Sequence, residues 1–419
     1  MAAPSGVLRI REFRDLWMAQ TVSLLGDSIY FLVFMFMAKK ASQNNLQVGL
    51  VMTASAVPFL FLSPYAGVIA DRFDRRKIMA VADFVSALMT LALAWIAWFH
   101  PVPSTWLIGS FAFALSCVNA FFMPARMAAM PRLLPQNRLA EGNAVFMVTQ
   151  QVMWMLGTAF AVTVLAVIEE RMPGRFLFAA ALVNALTFLF SAYWVLRLPK
   201  LLPLSDETRE GLKNGWHEFV EGVVTVFRDP VLKVALPANL VAQAFISGFF
   251  VAYLEANEVW FAGDFRQFAW IEMSFAIPMA VFGFVVGRLT IRRPGLAYSL
   301  ATGIVGVTVL LMAFGQQLWF FILCNVFAGM AIPFAWIPIQ TYIQSAFTDA
   351  VRGRVSSAWI SSQMSVQPVG MLCIGPLIDW LGLAESILVI GAGMAGAGFV
   401  GLAFKGCREA EMPGTAQAV

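Results

Sequence analysis

Long apolar stretches alternate with short polar stretches along almost the whole chain. A helix needs about 20 consecutive apolar residues to cross the hydrocarbon core of a bilayer. Twelve stretches of about that length are bounded by charged residues, Pro or Gly, so the pattern predicts twelve transmembrane helices. The predicted spans cover roughly residues 16–38, 47–70, 78–99, 105–125, 142–168, 175–197, 232–256, 267–288, 296–314, 318–344, 355–380 and 384–404.

One long polar segment, residues 198–231, separates six predicted spans from six. Apolar residues recur within it at helical spacing, which predicts an amphipathic helix at the membrane surface. These residues are Trp216, Phe219, Val220, Val223 and Phe227. The predicted organisation is an N-terminal six-helix half (1–197), a cytoplasmic amphipathic linker (198–231), a C-terminal six-helix half (232–404) and a cytoplasmic tail (405–419).

The two halves repeat each other at their loops. The segment from Gly287 to Arg293 follows span eight as the segment from Gly67 to Arg76 follows span two. Two related six-helix halves are typical of transporters built from parallel repeats. The predicted fold class is therefore an all-α membrane protein with twelve transmembrane helices in two pseudo-symmetric six-helix halves.

The composition excludes several classes of protein. Hydrophobic residues make up 60% of the chain and charged residues 12%, far from the values of soluble domains. The net charge of +4 comes from basic residues spread over many short loops, so nucleic-acid binding is not expected. The four cysteines lack metal-binding spacing, and no phosphate-binding loop or hydrolase motif occurs. We expect no enzymatic activity, no cofactor and no metal site.

The basic residues predict the orientation in the membrane. With both termini in the cytoplasm, only Lys39, Lys40, Arg171, Arg175 and Arg266 of the 28 Lys and Arg residues lie outside. Positively charged loops resist translocation, so they stay on the cytoplasmic side. Both termini are therefore predicted to be cytoplasmic.

The loop after span two is a dense charge cluster that reads Gly67-Val-Ile-Ala-Asp-Arg-Phe-Asp-Arg-Arg-Lys77. It resembles the loop signature called motif A of the major facilitator superfamily of secondary transporters. The resemblance implies that Gly67, Asp71, Arg72 and Arg75 form a conformational latch, in which Asp71 accepts hydrogen bonds from the start of span eleven. Anchoring of lipid headgroups is the alternative role of the basic residues.

Further matches point to one branch of this superfamily. They are Phe13-Arg-Asp-Leu-Trp17, Leu24-Leu-Gly-Asp27, Met123-Pro-Ala-Arg126 and Arg352-Gly-Arg-Val355, and together they resemble the enterobactin exporter and macrolide-efflux group. The resemblance implies a monomer in a bacterial inner membrane, whose two halves rock around a midplane site. It also leads one to expect an arginine inside span four, which the predicted span does not contain.

Asp27 lies near the middle of span one, where an ionised carboxylate costs roughly 2.5–3.5 kcal/mol. Gln20, Ser23, Asp27 and Tyr30 share one helical face, which should point at a polar interior. Asp27 is therefore a candidate for proton coupling, and a structural Asp bonded to a neighbouring helix is the alternative.

Three further acids are candidates for proton coupling. Glu255 and Glu258 lie at the outer end of span seven, and Glu272 lies slightly inside the outer end of span eight. The alternative for the first two is that they are solvated loop acids.

Several predicted spans also carry polar and aromatic residues on one face, as a pocket for an amphiphile does. The candidate substrate-binding residues are Gln20, Ser23, Tyr30, Asn143, Gln150, Trp154, Asn239, Gln243, Ser247, Asn325, Trp336 and Gln340. Helix-helix packing explains small and amide residues equally well.

These observations predict a proton antiporter that exports a small amphiphilic, largely apolar molecule such as a drug or siderophore. Its partners would be that substrate, protons and the lipid bilayer, without nucleic acid. A lysophospholipid flippase or an uptake symporter is the alternative within transport. A non-transporting membrane sensor is the alternative of another class.

Overall fold

The computed structural model describes residues 6–135, 138–202, 215–263, 265–347 and 349–412. Almost all of these residues are helical, and no strand occurs among them. The first six long helices are α1 (Arg11–Ala41), α2 (Asn45–Arg72), α3 (Arg75–Phe99), α4 (Thr105–Leu133), α5 (Leu139–Arg171) and α6 (Phe176–Leu196). A shorter helix, α7 (Gly215–Arg228), is present where the amphipathic pattern predicts one.

A second set of long helices follows α7. They are α8 (Leu232–Trp260), α9 (Phe265–Val286), α10 (Pro294–Met312), α11 (Leu318–Ala346), α12 (Asp349–Leu381) and α13 (Leu383–Val400). The short helix α14 (Lys405–Arg408) and two 3₁₀ turns, Gly6–Arg9 and Gly401–Ala403, complete the described elements.

Among the described residues, nine helices are long and apolar enough to cross a membrane. They are α1, α3, α4, α6, α8, α9, α10, α11 and α13. Shorter apolar stretches lie in α2 (Asn45–Phe59) and α12 (Ser365–Leu381). The predicted all-α membrane fold is confirmed, while the count of twelve spans stays a prediction.

The chain forms two compact units. Unit 1 comprises Met1–Gln43 and Ala54–Thr208, and unit 2 comprises Asn44–Thr53 and Arg209–Val419. The predicted four-part division of the chain stays a prediction.

In unit 1, α1 packs against α5 and α6, and α3 packs against α4 and α6. Glycines make the contacts of α1 close. A Cβ on Gly26 would overlap the side chains of Thr187 and Asn184 on α6, and a Cβ on Gly157 of α5 would overlap Ser28. These positions let the backbones approach as small residues do in membrane proteins.

The charged loop before α3 is tied to the segment that follows α6. Asp74 Oδ1 accepts hydrogen bonds from the backbone N–H of Arg76 at 3.1 Å and of Leu201 at 3.0 Å. The first of these bonds caps α3 in the way that an Asp before a helix usually does. Arg75 Nη1 donates to the carbonyl of Leu202 at 2.9 Å, so α3 begins at the same end of unit 1 at which α6 finishes.

Unit 2 includes the first turns of α2, which pack closely on α12. Asn45 Nδ2 donates to Asp379 Oδ1 at 3.0 Å, and a Cβ on Gly49 would lie 2.5 Å from the carbonyl oxygen of Met371. At the start of α8, Asp229 accepts from the backbone N–H of Leu232 at 2.8 Å and therefore stabilises that helix terminus.

Candidate functional site

Asp27 lies in the middle of α1, half-buried inside unit 1. The side-chain amide of Asn184 on α6 lies close to its carboxyl group. The close approach at Gly26, the preceding residue, brings these two helices together. Among the described residues no cation forms an ion pair with Asp27. The polar group beside its carboxyl group is therefore the uncharged amide of Asn184.

The other residues on this face of α1 differ in their surroundings. Gln20 and Ser23 are buried, each at 5% exposure. Tyr30 is half-buried, its ring stacks on Phe34 with centroids 5.8 Å apart, and its hydroxyl has no hydrogen-bond partner in the described part of the chain. Tyr30 is close enough to Asp27 for the phenol to interact electrostatically with the carboxylate. The predicted grouping of Asp27 with a phenol is therefore present in the structure.

Arg126 is a functional candidate that the sequence interpretation missed. The predicted span four ends at residue 125, but α4 continues to Leu133 and Arg126 lies inside it. Its Nη1 donates to Gln20 Oε1 over a long 3.4 Å, and its guanidinium lies 5.2 Å from the ring centroid of Phe146. The helix therefore extends eight residues beyond the predicted end of the span, where a basic residue had been taken as the boundary.

Asp83 is a second residue that the sequence interpretation missed. It is 3% exposed on α3, and Ser191 Oγ on α6 donates a hydrogen bond of 2.7 Å to its Oδ2. Its charge is close enough to that of Asp27 for the two to interact. An acidic residue inside the predicted span 78–99 was the available signal, because such residues are rare and expensive in hydrocarbon.

The candidates on α5 differ in their exposure. Asn143 and Gln150 are exposed, whereas Trp154 is half-buried with its ring centroid 5.2 Å from that of Phe31 on α1. Trp154 therefore packs within unit 1, while the two amides are open to solvent or lipid.

The acidic candidates of unit 2 separate into two groups. Glu272 on α9 is half-buried, and the phenol of Tyr253 on α8 is its polar neighbour. Glu255 is half-buried, while Glu258 is exposed beside the turn at Gly263. Glu272 thus has the interior environment expected of a coupling residue, and Glu258 has that of a solvated loop acid.

A small cavity lies in unit 2 and brings three of the predicted residues together. Asn239, Gln243 and Trp336 line its volume of about 90 Å³, together with Tyr298 and Trp359. This volume is well below the roughly 300–1,000 Å³ of a typical small-molecule site. It suits ordered water near polar groups better than a whole amphiphile.

The remaining candidates of unit 2 do not line this cavity. Asn325 is 4% exposed and its Nδ2 has no partner among the described residues. Ser247 Oγ donates to the carbonyl of Ala244 at 2.9 Å, which is a helix-internal role, and Gln340 is half-buried.

The predicted latch residues are only partly described. The surroundings of Gly67 and the side chain of Asp71 lie outside the described part of the structure, so the role of this pair stays a prediction. Arg72 is exposed and, with Lys77, lines a groove of about 690 Å³ on unit 1. Arg75 is buried and holds the segment after α6 through the carbonyls of Leu201 and Leu202.

No three His, Cys, Asp or Glu side chains converge within the described ranges in a way that could hold a metal ion. All four cysteines are free thiols.

Comparison with known proteins relates this arrangement to a family. The model of the Major Facilitator Superfamily matches residues 16–262 and 244–418. Macrolide efflux protein A of Streptococcus pyogenes is 24% identical over 391 residues, which cover 91% of this chain and 92% of that protein. Multidrug efflux pump Tap of Mycolicibacterium fortuitum is 24% identical over 409 residues, which cover 92% and 94%.

Solved structures resemble the fold at lower identity. The nucleoside transporter NupG superposes with a TM-score of 0.68 at 14% identity, covering 94% of this chain and 98% of that one. A POT family transporter in complex with 5-aminolevulinic acid gives a TM-score of 0.68 at 15% identity, covering 93% and 96%. At this identity the likeness shows the fold alone.

Proposed function

Because the chain belongs to the major facilitator superfamily, we propose that it is a proton-coupled exporter of small amphiphilic, largely apolar molecules. Relatives that align over nine-tenths of the chain carry the names macrolide efflux protein and multidrug efflux pump, which supports export rather than uptake. The transporter would act as a monomer in a bacterial inner membrane, with both termini in the cytoplasm, and would expose its site alternately to the two sides.

The environment of Asp27 carries the proposal. An ionised carboxylate at the depth of a span centre costs roughly 2.5–3.5 kcal/mol, and binding of a proton removes this cost. In unit 1 the Asn184 amide is the polar neighbour of Asp27, and no cation among the described residues pairs with it. Such a group exchanges a proton more readily than a carboxylate locked in an ion pair.

Glu272 is the proposed counterpart in unit 2. It is half-buried with a phenol as its polar neighbour, as Asp27 is half-buried near Tyr30. Two interior carboxyl groups, one in each unit, provide proton sites for a cycle in which substrate and protons bind in turn. Glu255 and Glu258 are weaker candidates for proton binding, and Glu258 is exposed to solvent.

The proposed substrate is amphiphilic because the candidate residues combine apolar surface with a few polar groups. Asn239, Gln243 and the 48% exposed Trp336 in unit 2 supply amide and aromatic groups, and the cavity of about 90 Å³ that they line would hold only a part of the substrate. Proton entry would provide the driving force: a membrane potential of about 100 mV is worth about 2.3 kcal/mol per charge.

The test measures protons and substrate together in proteoliposomes that contain the full chain. A radiolabelled macrolide is loaded on one side, and its movement is followed with the pH of the lumen. We expect macrolide movement with opposite proton movement in the wild type, and loss of the coupling in Asp27→Asn. The control is Glu385→Gln, an exposed acid on α13.

Three outcomes would contradict the proposal. Movement of macrolide and protons in the same direction would show a symporter. Redistribution of labelled lysophospholipid without proton movement would show a flippase. Unaltered coupling in Asp27→Asn would remove Asp27 from the mechanism.

A further inference from the structure

Asp83 is an interior carboxyl group of unit 1. The proposed transport mechanism uses Asp27 and Glu272 and gives Asp83 no role. It is 3% exposed and lies eight residues after the first residue of α3, about 12 Å along that helix. Among the described residues its one hydrogen bond comes from Ser191, and no cation pairs with it. Burial of a carboxylate that has a single hydroxyl donor costs free energy. The protonated, neutral form of Asp83 therefore costs less free energy to bury at this site.

A polar stripe on α6 connects Asp83 with Asp27. Asn184, Thr187 and Ser191 are spaced at i, i+3 and i+7, so they occupy one helical face. Asn184 lies beside Asp27, and Ser191 binds Asp83 about 10.5 Å further along the helix. Thr187 Oγ1 lies between them, 3.2 Å from Asn184 Oδ1. One face of α6 therefore runs from one carboxyl group to the other.

A matching stripe lies on α3. Ser86 and Thr90 follow Asp83 at i+3 and i+7. Since α3 begins at the end of unit 1 at which α6 finishes, the two helices run antiparallel, and this stripe climbs from Asp83 toward the level of Asn184. Ser86 Oγ is buried without a hydrogen-bond partner in the described part of the chain. An unsatisfied buried hydroxyl is a place where an ordered water binds.

The charged and titratable groups around Asp83 leave this stripe free of cations. On α6 no charged residue occurs at this level: Asn184, Thr187 and Ser191 carry amide and hydroxyl groups, and the phenol of Tyr193 is exposed. On α4, Arg126 points to Gln20 and Phe146, and Arg132 donates to the carbonyl of Leu202. The α4 thiol of Cys117 lines the groove beside Ala82 and Val85, and α1 contributes Asp27 and Tyr30.

We infer that Asp83 is a second proton-binding site, a relay through which a proton leaves Asp27 for the cytoplasm along the polar stripes of α3 and α6. This inference rests on the proposed proton antiport. In the relay step, Asp27 loses its proton and the Asp83 carboxylate gains one. Asp83 is 3% exposed in this conformation, and it releases the proton to water when unit 1 opens at the end where α3 begins. Because the two charges repel each other, a proton on one group makes loss from the other easier.

The first test needs no substrate. Infrared spectra of the reconstituted full chain, recorded across a pH series, follow the carbonyl band of protonated carboxyl groups. We expect Asp83→Asn to remove one titrating band and to shift the midpoint of another, which Asp27→Asn removes. Ser191→Ala keeps the carboxyl group, so it should keep the Asp83 band and shift its midpoint. Bands and midpoints that are identical in wild type and Asp83→Asn would overturn the inference.

The second test uses the macrolide and proton assay in proteoliposomes. We expect Asp83→Asn to lose pH-driven macrolide flux while it retains macrolide exchange without a pH gradient, because the substrate site is intact. Ser191→Ala should shift the pH profile of the flux and retain its maximum, which a purely structural role would not do. Glu385→Gln is the matched control.

The two proposals fail in different ways. If the wild type moves no protons with the macrolide, proton antiport of this substrate fails, and the infrared titration alone decides whether Asp83 binds a proton. If the wild type couples and Asp83→Asn couples equally, the relay fails while the antiport stands. If Asp83→Asn does not fold, an unshifted titration and flux profile in Ser191→Ala would overturn the relay.

Discussion

Ser191 on α6 donates a hydrogen bond of 2.7 Å to Asp83 on α3, and both side chains are buried, at 0% and 3% exposure. A hydrogen bond to a charged or ionisable group contributes about 1.5–3 kcal/mol, and its loss leaves a buried acceptor unsatisfied. The bond therefore fixes the rotation of α3 against α6. It also fixes the height of Asp83 relative to Asn184, and hence to Asp27.

Gly26→Ala should destabilise unit 1. The added methyl group would overlap Thr187 and Asn184, so α1 would have to move away from α6. Overpacking of this kind costs about 1–3 kcal/mol, and thermal unfolding of the purified protein in detergent would measure it. Gly396→Ala on α13 is the control, because nothing lies within 4 Å of its Cβ position. Equal midpoints for the two variants would contradict the close packing at Gly26.

Arg75→Ala should loosen the segment after α6. The guanidinium is 4% exposed and donates to the carbonyls of Leu201 and Leu202, which would lose these partners. We expect a loss of about 1–3 kcal/mol of stability and faster proteolysis near residue 202. Limited proteolysis of the reconstituted protein measures the latter. Lys77→Ala, at an exposed position in the first turn of α3, should be cleaved at the wild-type rate.

Tyr342→Phe should destabilise unit 2 less than Asp229→Ala. Tyr342 Oη donates to Asp229 Oδ2 at 2.8 Å, while Asp229 Oδ1 also accepts from the backbone N–H of Val231 and Leu232 at the start of α8. Loss of the phenol hydroxyl removes one bond, and loss of the carboxylate also removes a helix cap worth about 1 kcal/mol. Thermal unfolding would rank the variants, with the exposed Tyr193→Phe as control. The reverse order would contradict the capping role.

Cys407 should react slowly with maleimide in the folded protein. It is 0% exposed on α14, and burial raises the pKa of its thiol above the ordinary value of 9.0. A raised pKa leaves less of the reactive thiolate at any pH below it, so both access and ionisation oppose the reaction. Mass spectrometry of the labelled protein, with and without denaturant, would measure the difference.

A second variant, Gly295→Ala, tests whether packing against α10 keeps the Cys407 thiol buried. A Cβ at Gly295 would overlap the Cys407 backbone and lie 2.8 Å from its Sγ, so α14 should be displaced and labelling should accelerate. Gly283→Ala, where nothing lies within 4 Å, should leave the rate unchanged. Equally slow labelling in Gly295→Ala would show that α14 does not depend on this contact.

The helices were largely predictable because hydropathy is a local property of the chain. The start of α3 shows a local signal that the sequence analysis did not use: Asp74 precedes a run of helix formers, and its carboxylate accepts the Arg76 N–H as a helix cap does. The boundary of α4 shows the limit. Arg126 ends an apolar run, yet the helix continues to Leu133, and the Arg126 side chain lies against Gln20 and Phe146.

The candidate site was predictable only in part. Asp27 was evident as an acid at the centre of a span, and Asp83 carried the same signal within span three. Nothing near Asn184 in the sequence indicates its role, since a single amide in an apolar helix is equally expected in packing. The amides Asn143 and Gln150 follow the same helical face as Trp154, but they are exposed in the structure.

The order of apolar and polar residues along the chain was enough to establish an all-α membrane protein and an interior acid at Asp27, whereas the charged loop from Gly67 to Lys77 carried the resemblance to a transporter superfamily. These properties depend on segments of about 20 residues, each of which meets the bilayer on its own. Which polar groups meet was settled by helix packing instead. Asp83 and Ser191 are 108 residues apart in the chain, and only the close antiparallel contact of α3 with α6 joins them.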